Sequence, residues 1–196
     1  SIQDALKKTD VKISKVDAGQ GNELIGATLT VTRVADIDGN EVNDVIESWT
    51  SDGSVHEVAG LTDGTYTLAE ESAPNGYKVA ESITFTIKGG KLVEDENAKD
   101  GIVTMKDEQK KTDVQISKVD AGAGNELKGA TLTLTKEGQE EAVDSWTSDG
   151  TVHTVAGLTD GVYTLVEESA PNGYKKAESI TFTIKNGALV AEGNDA

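Results

Sequence analysis

Residues 66–77 read YTLAEESAPNGY, and residues 163–174 repeat this stretch as YTLVEESAPNGY. In the first copy Tyr66, Leu68 and Glu70 alternate with the intervening residues, a pattern typical of a β-strand that buries one face. The sequence Ala-Pro-Asn-Gly that follows predicts a turn that ends the strand. If the two apolar side chains point into a core, Glu70 points there too. Because a buried carboxylate has to be paired, hydrogen-bonded or neutralised, Glu70 is the first candidate for a chemical role.

The repeated stretch belongs to a longer internal duplication. Residues 7–32 match residues 110–135, and residues 48–78 match residues 145–175. Near-identical segments of this length predict two domains that share one fold.

Each of the two predicted domains, residues 1–109 and residues 110–196, has the sequence pattern of an all-β fold. Short alternating segments are separated by Asp-Gly pairs and other turn residues, and no segment has a convincing helical period. This spacing predicts an antiparallel β-sandwich of Ig-like size in each domain. The first domain ends with the sequence IVTMKD at residues 102–107. The equivalent of Asp107 in the second copy would fall beyond the end of the sequence, so we expect the second domain to lack its last strand.

Composition and charge exclude several functions. A formal net charge of −17 and an isoelectric point near 4.4 argue against binding nucleic acid or anionic lipid through a basic patch. There is no apolar run of about 18 residues, so we predict no membrane insertion. Without a signal peptide or a sorting signal, the chain is expected to be an internal piece of a longer protein. It has no cysteine and only 4% aromatic residues, so its cores are expected to be modest and aliphatic, and a stabilising cross-link other than a disulfide is needed.

Three predicted strands end an inward-facing apolar run with an ionisable residue: Lys15 on the first, Glu70 on the central and Asp107 on the last. The first and last strands of a sandwich can be neighbours, so the three groups are expected to meet in one desolvated pocket. Burial lowers the pKa of a lysine and raises that of a carboxyl group. The neutral Lys15 amine would then attack the Asp107 carbonyl while Glu70 polarises it, with loss of water and no cofactor. The alternative is a buried salt bridge between Lys15 and Asp107, with Glu70 hydrogen-bonded nearby.

Four motifs make the chain similar to a known family: ISKVD at residues 13–17, GATLTVT at residues 26–32, the stretch at residues 66–77, and VTMKD at residues 103–107. They resemble the collagen-adhesin B-type domains (CnaB, SpaA-like, of prealbumin-like fold) from surface proteins and pili of Gram-positive bacteria. The resemblance covers almost the whole chain. It implies an autocatalytic isopeptide bond between Lys15 and Asp107, with Glu70 as the catalytic group.

For the second domain the resemblance implies Lys118 as the reactive lysine and Glu167 as the catalytic glutamate. The acceptor carboxyl has no counterpart there, so we expect no intrachain bond in that domain. Asp4 precedes Lys15 by the same interval as Asp107 precedes Lys118. One alternative is therefore a head-to-tail link between Asp4 of one molecule and Lys118 of another, although a frayed terminus is the preferred interpretation of these first residues.

The predicted function is structural. We expect two stalk domains that space a binding tip away from the bacterial cell wall, with neighbouring domains of the same extracellular, cell-wall-anchored protein as their partners. The isopeptide bond would form once per molecule, so the chain is not expected to be a turnover enzyme. The alternative is an adhesin module that contacts a host ligand through its hairpin loops.

The binding alternative includes a calcium loop at residues 36–47, which read DIDGNEVNDVIE. Five oxygen-bearing residues in this stretch match ligand positions of an EF-hand loop: Asp36, Asp38, Asn40, Asp44 and Glu47. The position that needs glycine is Glu41, however, and the flanking segments are predicted strands. We therefore interpret the stretch as an acidic hairpin loop and predict no metal site.

Overall fold

The computed structural model describes residues 4–190. Within that range the chain forms sixteen β-strands and no helix, which confirms the all-β prediction. No helix capable of crossing a membrane is therefore found among the described residues. The chain divides into two compact units, residues 1–109 and residues 110–196.

The strands are short and are separated by turns rich in glycine and aspartate. In the first unit they are β1 (Thr9–Asp17), β2 (Ile25–Ala35), β3 (Glu41–Asp52), β4 (His56–Leu61), β5 (Gly64–Ser72), β6 (Ile83–Lys88), β7 (Lys91–Leu92), β8 (Ala98–Lys99) and β9 (Ile102–Asp107). In the second unit they are β10 (Thr112–Ile116), β11 (Lys128–Lys136), β12 (Asp144–Asp149), β13 (His153–Leu158), β14 (Gly161–Ser169), β15 (Ile180–Lys185) and β16 (Ala188–Val190).

The first unit is a sandwich of two sheets. One sheet has the strand order β4-β1-β9-β8, and the other has the order β3-β2-β5-β6-β7. The first and last long strands are neighbours, as expected, but β1 and β9 pair in parallel whereas the adjoining pair of β1 and β4 is antiparallel. Parallel neighbours need a long crossover connection, and here the opposite sheet supplies it. The register sets Lys15 opposite Met105 and Asp17 opposite Asp107.

The inward faces of the two sheets form one mainly aliphatic core. In β2 and β5 every second side chain is buried over most of the strand, as the alternating sequence predicts. Tyr66 stacks on Phe85 with ring centroids 5.3 Å apart, and its hydroxyl donates to the Thr62 carbonyl at 2.7 Å. The largest polar side chain of the core is therefore satisfied without opening the core to water.

The second unit repeats this plan within the part that the structure describes. Its five-stranded sheet has the order β12-β11-β14-β15-β16, and its other sheet contains β10 and β13. β10 pairs with β13 as β1 pairs with β4. Within residues 110–190 no strand pairs with the other edge of β10, the edge where the first unit has β9.

Candidate functional site

The structure brings Lys15, Glu70 and Asp107 together inside the first unit. β1 and β9 supply Lys15 and Asp107 from one sheet, while β5 supplies Glu70 from the other. Lys15 and Asp107 are only 2% and 0% exposed, and Glu70 is 7% exposed. Lys15 Nζ lies 3.1 Å from Glu70 Oε1 and donates a hydrogen bond to Asp107 Oδ1. One amine and two carboxyl groups therefore share a site that water does not reach.

Charge in this site is not balanced if all three groups are ionised. Burial raises the pKa of Asp107 to about 6; the Lys15 ammonium opposes that shift, and the Glu70 carboxyl adds to it. Neither Glu70 Oε1 nor Asp107 Oδ2 accepts a hydrogen bond from a described residue. A proton on the Asp107 carboxyl would relieve the repulsion between the two carboxyl groups.

Two further contacts fix the reacting groups. Glu70 Oε2 accepts a hydrogen bond from the backbone N–H of Ala80 at 2.6 Å, which leaves Oε1 directed at the amine. Glu23 accepts from the Ser14 hydroxyl and, at 3.0 Å, from the backbone N–H of Lys15. Glu23 is not among the site residues predicted from the sequence. The signal was nevertheless present, because the sequence NEL recurs at the same place in both copies.

The second unit contains the equivalent lysine and glutamate without a third member. Lys118 Nζ lies 3.4 Å from Glu167 Oε1, and Glu167 Oε2 accepts from the Ala177 N–H at 2.5 Å. The Lys118 side chain is 18% exposed, whereas that of Lys15 is 2% exposed. A cavity of about 190 Å³ adjoins the pair, and within residues 110–190 no other carboxylate is paired with Lys118.

Asp4 is exposed and precedes β1, in the first stretch of the chain that the structure describes. The hypothesis that it links to Lys118 of another molecule concerns two chains, so one chain does not test it. Residues 1–3, which precede Asp4 in the same terminal stretch, lie outside the described residues.

The stretch at residues 36–47, which resembles a calcium loop in sequence, begins as a hairpin between β2 and β3, as predicted. Asp36 Oδ1 accepts from the backbone N–H groups of Asp38 and Asn40, each at 2.9 Å, and the Asn40 amide donates to Asp36 Oδ2 at 2.9 Å. Asp44 and Glu47 lie along β3 instead of in the loop, and Glu47 faces the His56 ring. Among residues 4–190 no three acidic, histidine or cysteine side chains are grouped as a metal site requires.

Comparison with known protein families identifies the fold. The model of the family described as the SpaA prealbumin-like fold domain matches residues 9–106 and again residues 112–195. The chain belongs to this family. The SpaA family assignment confirms the resemblance seen in the sequence and the two tandem β-sandwich domains. It supports a structural role in a surface or pilus protein.

Three solved structures illustrate the similarity of this SpaA-family chain to larger proteins. The Bacillus anthracis TIE protein is 30% identical with a TM-score of 0.61, over 91% of this chain and 31% of that protein. The pilus adhesin SpaC from Lactobacillus rhamnosus GG is 19% identical with a TM-score of 0.51, over 97% of this chain and 29% of SpaC. A C-terminal fragment of the same adhesin is 18% identical with a TM-score of 0.51, over 98% of this chain and 90% of the fragment. The chain thus spans about a third of the two longer proteins; a search of curated proteins found no match.

Proposed function

We propose that the chain forms two stalk domains of a cell-wall-anchored surface protein or pilus of a Gram-positive bacterium. We further propose that an autocatalytic amide bond between Lys15 and Asp107, assisted by Glu70, ties the first and last strands of the first unit together. The observation that carries this proposal is the buried contact of the Lys15 amine with two carboxyl groups, that of Asp107 on the adjacent strand β9 and that of Glu70 on the opposite sheet. Family membership supports the surface location and the role of neighbouring domains as partners.

The reaction needs no group from outside the chain. Lys15 transfers a proton to the carboxyl pair, and its neutral Nζ attacks Cγ of Asp107. Protonated Glu70 donates a hydrogen bond to the Asp107 oxygen and stabilises the charge that develops there. A C–N bond forms, a C–O bond breaks, and one water leaves with the two protons released by the amine. The product is a neutral amide.

The burial that makes the ion pair costly also favours the amide. An ammonium and a carboxylate in a water-free site lose their hydration, and an amide removes both charges at once. Contact between the groups replaces a bimolecular encounter with a reaction of fixed neighbours. The bond encloses 92 positions of sequence, and by analogy with a disulfide it would stabilise the first unit by about 4–5 kcal/mol.

The second unit is proposed to remain without an intrachain amide. Lys118 and Glu167 supply the amine and the proton-transferring carboxyl, and the acceptor would have to come from elsewhere. A head-to-tail link from Asp4 of another molecule is the self-association that this arrangement would permit, and it would appear as covalent multimers.

Intact mass of the denatured chain tests the proposal. The wild type should be lighter than its sequence by one water, and Glu70→Ala should have the full mass. Glu167→Ala is the matched control, because it removes the equivalent glutamate of the second unit and should still lose one water. Full mass in the wild type would overturn the amide and leave a buried ion pair. Loss of two waters would overturn the proposal that the second unit has no intrachain amide, whereas covalent multimers linked through Lys118 would support the head-to-tail link.

The two interpretations differ in whether the chain binds a ligand: an adhesin module should bind one, and a stalk domain should not. Isothermal titration of the chain with calcium chloride tests the part of the adhesin interpretation that the sequence specifies, at residues 36–47. Heat of binding that disappears in Asp36→Asn would favour the binding module, and no heat is expected from a stalk domain with this self-capped hairpin.

A further inference from the structure

Asp17 is another buried acid close to the site, and the proposed amide chemistry does not use it. It is the last residue of β1 and is 4% exposed. Its Oδ1 accepts hydrogen bonds from the backbone N–H groups of Gly19 and Gln20, each at 2.7 Å. Its Oδ2 accepts from the Tyr77 hydroxyl and from Gln109 Nε2, also at 2.7 Å each. Four donors from three parts of the chain thus converge on one carboxylate.

These four bonds keep Asp17 ionised. Burial by itself would raise its pKa, but the hydrogen bonds from Gln20, Gln109, Tyr77 and Gly19 outweigh burial and lower the pKa to about 2. The carboxylate therefore keeps its charge at neutral and mildly acidic pH. A group that does not change its charge cannot carry protons for the reaction, so its role has to be geometric.

Two of the four donors, Tyr77 and Gln109, hold the segment that directly follows the acceptor Asp107. Gln109 lies two residues beyond Asp107, and its backbone forms a bridge with Tyr77. The Asp107 carbonyl accepts from the Ala18 N–H at 2.8 Å, and the carbonyl of the following residue accepts from the Lys78 N–H at 2.9 Å. The end of β9 is therefore held on both sides.

The second unit shows how the equivalent acid is arranged without such a segment. Asp120 accepts from the backbone N–H groups of Gly122 and Ala123 at 2.7 and 2.6 Å, and from the Tyr174 hydroxyl at 2.8 Å. No fourth donor reaches it from residues 110–190. Tyr174 is 45% exposed, whereas its counterpart Tyr77 is half-buried. Three of the four contacts therefore form without a last strand, and the fourth depends on it.

We infer that Asp17 is a positioning residue for amide formation: through Tyr77 and Gln109 it holds the end of β9 in the register that the reaction needs. This inference rests on the proposed function of the first unit. In this proposal Asp17 first binds its own loop and Tyr77, as Asp120 binds the equivalent groups in the second unit. It then accepts the hydrogen bond from Gln109, which follows the acceptor Asp107.

Register decides whether the reaction can occur at all. Side chains alternate between the two faces of a strand, so a slip of one residue would turn Asp107 outward and put Lys106 or Glu108 in its place, depending on the direction of the slip. Smaller errors also matter, because a misplacement of about 1 Å between fixed reacting groups slows a reaction by about 100-fold. A fixed anchor two residues beyond the acceptor limits both kinds of error.

The test follows amide formation in the full chain by pulse and chase in cell-free synthesis. Synthesis is stopped after a short pulse, samples are denatured at intervals, and intact mass gives the fraction that has lost one water. Protease resistance of parallel samples gives the folded fraction, so that rates are expressed per folded molecule. Asp17→Asn removes the negative charge and replaces one carboxylate oxygen by an NH₂ group, which cannot accept hydrogen bonds from the donors that surround Asp17. Asp120→Asn makes the same change in the second unit and is the matched control.

We expect Asp17→Asn to react about 10- to 100-fold more slowly per folded molecule, with the same pH profile as the wild type. Gln109→Ala removes a single donor and leaves Asp17 in place, and it should be slowed as well, whereas Asp120→Asn should react at the wild-type rate. Wild-type rates in both first-unit variants would overturn the positioning role. A shifted pH profile in Asp17→Asn would also overturn it, because Asp17 would then carry protons. A wild type that keeps its full mass would instead overturn the proposed function.

Discussion

Pulling the chain by its two ends measures directly what a bond between Lys15 and Asp107 does to the first unit. The two residues are 92 positions apart in the sequence. At about 3.4 Å per residue of stretched chain, those positions correspond to about 310 Å of extension. β1 and β9 are hydrogen-bonded neighbours, and Asp107 lies two residues along β9 from the partner of Lys15, so the two Cα atoms start only about 8 Å apart. Almost the whole extension is therefore prevented by the bond.

In the wild type we expect force to pass from β1 to β9 through the amide, so that the first unit never releases the enclosed length. Glu70→Ala should release about 310 Å in an additional step, because the strands are then joined only by hydrogen bonds. Optical tweezers acting on the full chain, with a handle at each end, would record the difference as extra contour length. The second unit, which is proposed to have no amide, should unfold in every molecule and serves as an internal reference.

Glu167→Ala is the control for this experiment, because it alters the second unit by the same substitution and should leave the first unit locked. A wild-type chain that extends as far as Glu70→Ala would refute the reasoning. So would a Glu70→Ala chain that is folded by protease resistance and still withholds the enclosed length.

Stability, pH and amine reactivity test the same arrangement. Glu70→Ala should lower the free energy of unfolding of the first unit by about 4–5 kcal/mol in urea, and equal stability would argue against a closed loop. The pKa of Asp17 is lowered from 3.8 to about 2, so the stability that Asp17 contributes is complete above about pH 4 and is lost as the pH falls toward 2. Asp17→Asn should therefore lower the free energy of unfolding by about 2 kcal/mol at pH 7 and by little at pH 2, as measured by denaturation at both pH values. Pulse-chase rates of amide formation should fall above about pH 6, because the acceptor, whose pKa is about 6, then loses its proton; a rate that rises would show that amine deprotonation limits the reaction. Peptide mapping after amine labelling of the denatured chain should find Lys118 modified and Lys15 unmodified, and a labelled Lys15 would contradict the bond.

The sequence was sufficient to predict which residues meet in the first unit. Strand phase is a local property, and an apolar run with a period of two decides which face is buried. Lys15, Glu70 and Asp107 each continue such a run, so their inward direction followed from their neighbours. The internal duplication added the two-domain organisation, since near-identical segments adopt the same fold.

The contacts that depend on distant parts of the chain could not be predicted in this way. Asp17 is 60 positions from Tyr77 and 92 from Gln109, and nothing local links the three. The parallel direction of β1 and β9 likewise depends on the number of strands between them and the sheet to which each belongs. The spacing of acidic residues after β2 matched a calcium loop only as a pattern of letters. Its first carboxylate is occupied by the hairpin itself, through Asn40.

The parallel pairing of β1 and β9 also bears on how such a chain can grow by duplication. Because both strands run in the same direction, the chain enters the first unit at one end of the pair and leaves it at the other. A copied segment inserted after β9 could begin its own first strand there, because the chain would not have to return to the end at which it entered. The strands already present would keep their neighbours. The near-identical stretches in this sequence are what such a copying event leaves behind. The number of repeats could then vary during evolution while the chemistry within each repeat stayed the same.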